Sequence, residues 1–195
     1  MSTNIHAEQK PLIYQIGKHV KLVDDATFCK SIIADGKELI TGEEYGAIRV
    51  LELKDEKVYI TFKEDLTSLA NAFSGCSALK SIPENLFANC PKATDFSFTF
   101  FGCKALTAIP EGLFANNPKV TIFQGTFSYC SALKSLPANL FANNRKVNSF
   151  RLTFSGCSAL KSIPENLFAN CPKVNSSFQT FALCKSLKSI PTGLF

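Results

Sequence analysis

The pattern of apolar positions changes near residue 65. Before that point, short runs rich in Val and Ile, such as HVKLV and KVYITF, are separated by turn residues, which predicts β-strands. From residue 66 onward, apolar residues recur every 27 residues as Phe-x-x-Cys-x-x-Leu-x-x-Ile/Leu-Pro-x-x-Leu-Phe. The twenty residues FSGCSALKSIPENLFANCPK occur twice, at 73–92 and at 154–173. We therefore divide the chain into a β-rich N-terminal unit or cap, 1–65, and a repeat region, 66–195.

A repeat of this length predicts stacked units, because one unit cannot bury its own apolar face. The units begin near Phe73, Phe100, Phe127, Phe154 and Phe181. Equivalent apolar residues are expected to form ladders through the stack, and Ser177, which interrupts one Phe ladder, is expected to shift the packing to Phe178. The predicted fold class is a repeat solenoid, specifically a leucine-rich-repeat-like right-handed solenoid of about five 27-residue turns.

Each repeat is expected to contribute one short parallel strand. In the first unit this strand runs from Leu79 to Ile82, and Pro83 ends it by removing a hydrogen-bond donor and fixing φ. In the N-terminal unit two hairpins are predicted, one turning at Asp35-Gly36 in a type I′ loop and one at 54–57. The strand at 58–62 is expected to cover the open first turn of the repeats.

The eight cysteines test this architecture. Five occupy one repeat column: Cys76, Cys103, Cys130, Cys157 and Cys184. An even total raises the question of disulfides, but five column members cannot all pair among themselves. Cys90 and Cys171 lie three units apart, beyond the roughly 7 Å reach of a bridge. We interpret the column as a structural ladder of buried free thiols, and we expect no zinc site because no Cys-x-x-Cys occurs.

The positive charge is concentrated in the repeats. Residues 1–65 carry 9 Lys and Arg against 12 Asp and Glu, a net of −3, whereas residues 66–195 carry 12 against 4, a net of +8. Two columns of lysine form a candidate binding stripe: Lys80, Lys134, Lys161 and Lys188 in one, and Lys92, Lys119, Lys146 and Lys173 in the other. Two interpretations stay open, a merely solubilising surface and a stripe that binds an anionic partner. Without interleaved exposed aromatic residues, nucleic acid is not expected as the partner.

No catalytic motif is present. The sequence has two His and lacks a phosphate-binding loop, a Gly-x-Ser-x-Gly and a His-Glu-x-x-His. We predict no enzymatic activity, no cofactor and no metal. No apolar run approaches the roughly 18–20 residues of a membrane span. The first residues lack the pattern of a secretory signal, so the protein either stays inside the cell or has lost its signal, and the compartment stays open.

The Phe-x-Gly-Cys-x-x-Leu-x-x-Ile-Pro unit resembles the BspA-like, Treponema-type leucine-rich repeats of bacterial surface proteins. The resemblance covers 66–195, although a 27-residue period is longer than the usual unit of that type. It implies a non-catalytic protein, often displayed on a bacterial cell surface and often adhesive. It supplies no active-site residues.

Two functional hypotheses follow. The first is a non-catalytic binding or adhesion module that presents a repetitive surface to a protein or an anionic glycan. The second is a structural component of an assembly, such as a virion or appendage subunit or an intracellular scaffold. At the far end, Leu187, Ile190, Leu194 and Phe195 are expected to form an uncapped apolar edge. A truncated longer array, an end-to-end homodimer and a final half-turn folded over the edge all remain open.

Overall fold

The computed structural model describes residues 10–39 and 46–194. Its strands are β1 Leu12–Tyr14, β2 Gly17–Val23, β3 Cys29–Ala34, β4 Lys37–Glu38, β5 Ile48–Leu53, β6 Lys57–Phe62 and β7 Leu79–Ser81, with one 3₁₀ helix at Ala26–Phe28. Within the described ranges, no helix has the length and apolar character needed to cross a bilayer.

The strands form two antiparallel sheets. The larger has the order β4-β3-β6-β1-β7, and the smaller pairs β2 with β5. Along β6, Val58, Ile60 and Phe62 are buried in alternation, as expected for a strand with one face on the core. The predicted first hairpin is confirmed, since Asp35 and Gly36 join β3 to β4 with φ of 50° and 70°.

The predicted second hairpin, at 54–57, is wrong. Strand β5 pairs with β2, whereas β6 pairs with β3 and β1. The carboxylate of Asp35 accepts hydrogen bonds from the amides of Lys54 at 3.0 Å and Asp55 at 2.6 Å. The segment between β5 and β6 therefore connects the two sheets, and its amides bond to the Asp35 side chain instead of to a hairpin partner.

The predicted fold class is also wrong. Among the described residues, every pairing between strands is antiparallel, and the leucine-rich-repeat-like solenoid built on short parallel strands is not formed. Only the first unit forms a strand at the predicted position, β7, and it pairs antiparallel with β1. In each later unit a turn ends at the Leu, as where Leu106 N donates to Cys103 O at 3.1 Å. The first unit has the same turn, with Leu79 N donating to Cys76 O at 3.0 Å, and the same proline, so the difference lies in its neighbour: only the first unit has β1 beside it.

The 27-residue units are mostly turns, joined by isolated bridges. Single-residue parallel bridges connect Ser68 to Asp95 and continue at the same spacing to Ile122, Ser149 and Ser176. Inside, Phe rings of successive units stack with centroids 5.3 Å apart for Phe73 and Phe100 and 5.4 Å apart for Phe100 and Phe127. We call this region, 66–194, the repeat stack. The rings and bridges, more than regular strands, hold its units in register.

One expected core position is not in the core. The side chain of Phe178, expected to replace the ring missing at Ser177, is 58% exposed. The Phe column that Ser177 interrupts instead ends at Phe150, whose ring packs on Phe168 with centroids 4.3 Å apart. In the predicted apolar edge at the far end, Ile190 is exposed but Leu194 is buried, and Phe195 lies outside the described residues.

The N-terminal sheets cover the first unit of the repeat stack. Strand β1 pairs with β7, and the ring of Phe62 at the end of β6 contacts Phe73 and Phe87, with centroids 6.1 Å and 5.6 Å away. The thiol of Cys76 donates to Leu22 O at 3.4 Å. The strand that adds directly to the repeats is thus β1, while the predicted strand, β6, contributes through Phe62.

Candidate binding surface

The first lysine column lies on the three-residue segment before each proline. Thr107 N donates to Lys80 O at 3.4 Å, Lys134 N to Thr107 O at 3.2 Å, and Lys161 N to Lys134 O at 3.3 Å. Column members of adjacent units are therefore about one strand spacing apart, ~4.8 Å. Lys80 forms an ion pair with Glu56 at 3.4 Å. Lys134, Lys161 and Lys188 are exposed and have no ion-pair partner among the described residues.

The second lysine column begins with an acid. Asp65 occupies the position 27 residues before Lys92, and the two side chains form an exposed ion pair. The hydrogen bond from Lys92 lowers the pKa of Asp65, and the carboxylate in turn raises the pKa of Lys92. Further along, Lys119, Lys146 and Lys173 are exposed and form no ion pair with a described residue.

The two columns concentrate unpaired positive charge on the later units. Like charges about 5 Å apart repel by about 1 kcal/mol in water, and long exposed side chains reduce this repulsion by moving apart. A polyanion that binds along either column replaces the repulsion with attraction. What the arrangement can do is bind an extended anionic surface; the lysines are not held at a focused point where a small anion would be enclosed.

The five predicted ladder cysteines form a continuous series of weak hydrogen bonds. Each thiol after the first donates to a Phe carbonyl 30 residues earlier, as Cys130 Sγ does to Phe100 O at 3.2 Å and Cys157 Sγ to Phe127 O at 3.2 Å. All eight cysteines are free and buried. Burial raises the pKa of Cys76 and of Cys130 to about 12, so these thiols stay neutral and are poor nucleophiles near neutral pH.

A buried amide column was missed by the sequence analysis. Asn117 and Asn144 occupy the column that carries Cys90 and Cys171 in the outer units, and both are fully buried. The amide nitrogen of Asn117 donates to Phe87 O at 3.1 Å and Cys90 O at 2.9 Å. Asn144 repeats this one unit later, on Phe114 O and Asn117 O. The sequence feature that indicates this column is the replacement of Cys by Asn in the two middle units, because a buried Asn needs a hydrogen-bond acceptor for its amide nitrogen.

Outward aromatic residues were also missed. Phe98 and Phe101 are half-buried, Tyr129 is 46% exposed, and the guanidinium of Arg151 lies 5.3 Å from the ring centroid of the exposed Phe178. They were missed because the Phe residues were assigned to the core of the repeats. Their signal was that they stand outside the recurring Phe columns.

Nothing in the described part of the chain forms a cluster of three or more His, Cys, Asp or Glu side chains suited to a metal ion. A groove on the side of the stack, lined by Glu84, Glu111, Asn139 and Asn143, holds two carboxylates but no nucleophile beside them. Comparison with protein families, with curated proteins and with solved structures finds no match for this chain.

Proposed function

We propose that this protein is a non-catalytic binding module that engages an anionic partner, a glycan or an acidic protein surface, through its lysine columns. The observation that carries the proposal is the run of exposed lysines that have no ion-pair partner among the described residues, Lys134, Lys161 and Lys188, set one repeat apart. The sequence resemblance to BspA-like surface proteins supports an adhesive role at a bacterial cell surface.

The regular spacing of the lysines supports a polymeric partner. A column whose members lie ~4.8 Å apart presents several charges to one chain of a sulfated or carboxylated polymer. Binding of this kind gains long-range attraction and a fast association rate that fall as salt rises, because the Debye length shortens from about 10 Å at 0.1 M to about 3 Å at 1 M.

The test measures binding to immobilised heparin and to polyglutamate over a salt series. We expect affinity for at least one polymer at low salt, and a loss of about tenfold in the double variant Lys134→Glu/Lys161→Glu, equivalent to about 1.4 kcal/mol. The reverse change, Thr107→Lys, fills the gap in the first column and is expected to raise affinity.

The matched control is Lys30→Glu/Lys37→Glu, which makes the same change in net charge at exposed lysines outside the repeat stack. It is expected to reduce binding by less than about threefold, an effect of net charge alone. Absence of binding to both polymers at low salt, or equal losses in the two double variants, would falsify the proposal.

A second role, as a component of an assembly, is favoured by a different observation. In this chain Leu183 and Ile190 on the last described unit are 61% and 60% exposed, an apolar surface of the kind that self-association buries. End-to-end association predicts a concentration-dependent increase in mass in sedimentation experiments, reversed by Ile190→Lys. A strictly monomeric chain at high concentration would exclude this role for that surface.

A further inference from the structure

Two adjacent outward columns of the repeat stack differ in every unit. The first column carries Ala70, Ser97, Gln124, Arg151 and Phe178. The second carries Asn71, Phe98, Gly125, Leu152 and Gln179. The contrast is sharpest between the first and fourth units. Residues 73–92 of the first are identical to residues 154–173 of the fourth, yet the first has Ala-Asn at 70–71 and the fourth has Arg-Leu at 151–152. Variation is therefore concentrated on one surface of an otherwise repetitive molecule.

The backbone does not require these differences. Asn71 N donates to Ser97 O at 2.9 Å, Phe98 N to Gln124 O at 2.8 Å, and Leu152 N to Phe178 O at 3.0 Å. The same bond thus recurs in successive units whatever the side chains are. Since these amides are already bonded within the stack, a partner here meets side chains and not an open backbone edge.

Several residues on this surface are locally unfavourable choices. Every member of the second column has a positive φ, including 55° at Phe98 and 58° at Leu152, and Tyr129 beside it has 59°. Bulky residues in this region are disfavoured relative to a right-handed conformation, and other units use Gly or Asn at equivalent positions. A residue that folding alone disfavours, with its side chain partly in solvent, points to selection for contact.

The aromatic residues form one cluster that spans two units. Phe98 and Phe101 pack edge to face with centroids 6.0 Å apart, and Phe101 and Tyr129 do so at 5.6 Å. A Cβ added at Gly125 would lie 2.4 Å from the Phe98 ring, and one added at Gly156 would lie 2.7 Å from the Tyr129 ring. The two rings thus lie over the glycines of the next unit, which fixes them as a preorganised platform.

The charge of this surface has one sign. Arg151 is exposed beside Phe178 and has no ion-pair partner among the described residues. Asp95, two residues before Ser97 of the first column, already accepts hydrogen bonds from Ser97, at 2.8 Å from N and 2.6 Å from Oγ. Neither column contains a carboxylate or a lysine. Tyr, Phe and Arg without Lys or Glu is the composition typical of the centre of protein interfaces.

We propose that these two columns, with Phe101 and Tyr129, form a variable face that docks a protein partner. The partner offers an apolar patch to the rings and a carboxylate to Arg151. The variable face shares no residue with the lysine columns, so the inference goes beyond the proposed function and does not depend on it. We commit to a protein and not a glycan because Leu152 and Phe178 add aliphatic and aromatic surface beside Arg151, a combination enriched at the centre of protein interfaces, while neither column has a carboxylate to accept hydrogen bonds from sugar hydroxyls.

The test selects binders from a display library of random short peptides on the full chain and asks where they bind. The key variant, Arg151→Ala/Leu152→Asn, gives the fourth unit the Ala-Asn pair of the first, so its compatibility with the backbone is already shown within the chain. Tyr129→Gly gives the third unit the glycine present at Gly75 and Gly102. The control, Lys134→Glu/Lys161→Glu, alters the lysine columns alone.

Selected peptides are expected to combine aromatic or aliphatic residues with Asp or Glu, and to lose at least about tenfold in affinity in either variable-face variant. The lysine control is expected to leave their affinity within about twofold when the peptide titration is done at physiological salt. Changing the peptide's acid to its amide is expected to weaken binding to wild type but not to Arg151→Ala/Leu152→Asn, which assigns the pairing to Arg151.

Three results would overturn the inference: no enriched peptide, peptides that bind the variable-face variants as tightly as wild type, or oligosaccharide binding that the same variants abolish. Failure of the lysine control to bind heparin or polyglutamate concerns the proposed function only. The two conclusions are therefore separable in one set of proteins.

Discussion

Replacing Gly156 with Ala tests the packing of the variable face most directly. Gly156 has a φ of 76°, and an added Cβ would lie 2.7 Å from Cδ1 and 3.1 Å from Cγ of Tyr129. Because Cγ is fixed by the first side-chain torsion, the ring can clear the new methyl only by changing rotamer. That movement breaks the edge-to-face contact with Phe101.

Gly102 provides the matched control. Its φ of 67° is similar, but the nearest atom to an added Cβ is the Cα of Gly75 at 3.8 Å, an ordinary contact. Gly102→Ala should therefore cost only the left-handed backbone penalty, about 1–2 kcal/mol. Gly156→Ala should cost that penalty plus the lost aromatic contact, worth about 0.5–1.5 kcal/mol, for a total of about 1.5–3.5 kcal/mol.

The free energy of unfolding is measured by urea titration followed by circular dichroism, since the chain has no Trp, and values are compared only where the m-values agree. In a Tyr129→Gly background the additional cost at Gly156 should disappear, leaving the two alanine variants equal. If Gly156→Ala costs no more than Gly102→Ala in the wild-type background, the Tyr129 ring does not lie over Gly156 and the platform argument fails.

Three further predictions concern the core and the lysine columns. Asn117→Ala should lower the free energy of unfolding by about 1–3 kcal/mol, because Phe87 O and Cys90 O lose their donor. Asn117→Cys should lower it by less, since the thiol remains a donor. Equal losses of stability in urea titrations would argue against the amide column. At pH 8 iodoacetamide should leave Cys76 and Cys130 unmodified in the folded chain, because each thiol has a pKa raised to about 12. In denaturant all eight cysteines should react. Modification of the folded chain at the rate of free cysteine, measured by mass spectrometry, would contradict this prediction. In NMR titrations the Asp65 pKa should be below its ordinary value and return toward it in Lys92→Met. Because this pKa is lowered in the folded state, the pair's stabilisation is present above the unfolded-state pKa and is lost as pH falls; an unchanged pKa in Lys92→Met would refute the assignment.

The sequence by itself determined which residues are repeated and most of what is buried. The 27-residue spacing placed Phe100, Phe127 and Phe154 in one column, and these rings are fully buried and stacked. It also specified the Asp35-Gly36 turn, since a type I′ turn needs positive φ at both positions. These features depend on local chemistry and on burial that repeats with the sequence.

Only the tertiary structure decided how the backbone pairs. The runs at 48–53 and 57–62 look like the two arms of a hairpin, but β5 and β6 enter different sheets. The segment Leu79–Ser81 becomes a strand because β1 is available beside it, whereas the equivalent later segments have only single bonds to their neighbours. Strand pairing is a choice between competing partners distant in sequence, which a local pattern does not specify.

The direction of the outward side chains was likewise decided by tertiary structure. Phe96 and Phe98 are two residues apart and chemically identical, yet Phe96 is fully buried and Phe98 is only half-buried. The difference arises at the positive φ of Phe98, whose backbone N–H donates a hydrogen bond to Gln124 O of the next unit at 2.8 Å. Composition and periodicity determine how much apolar surface a unit must bury; contact with the neighbouring unit determines which rings remain to meet a partner.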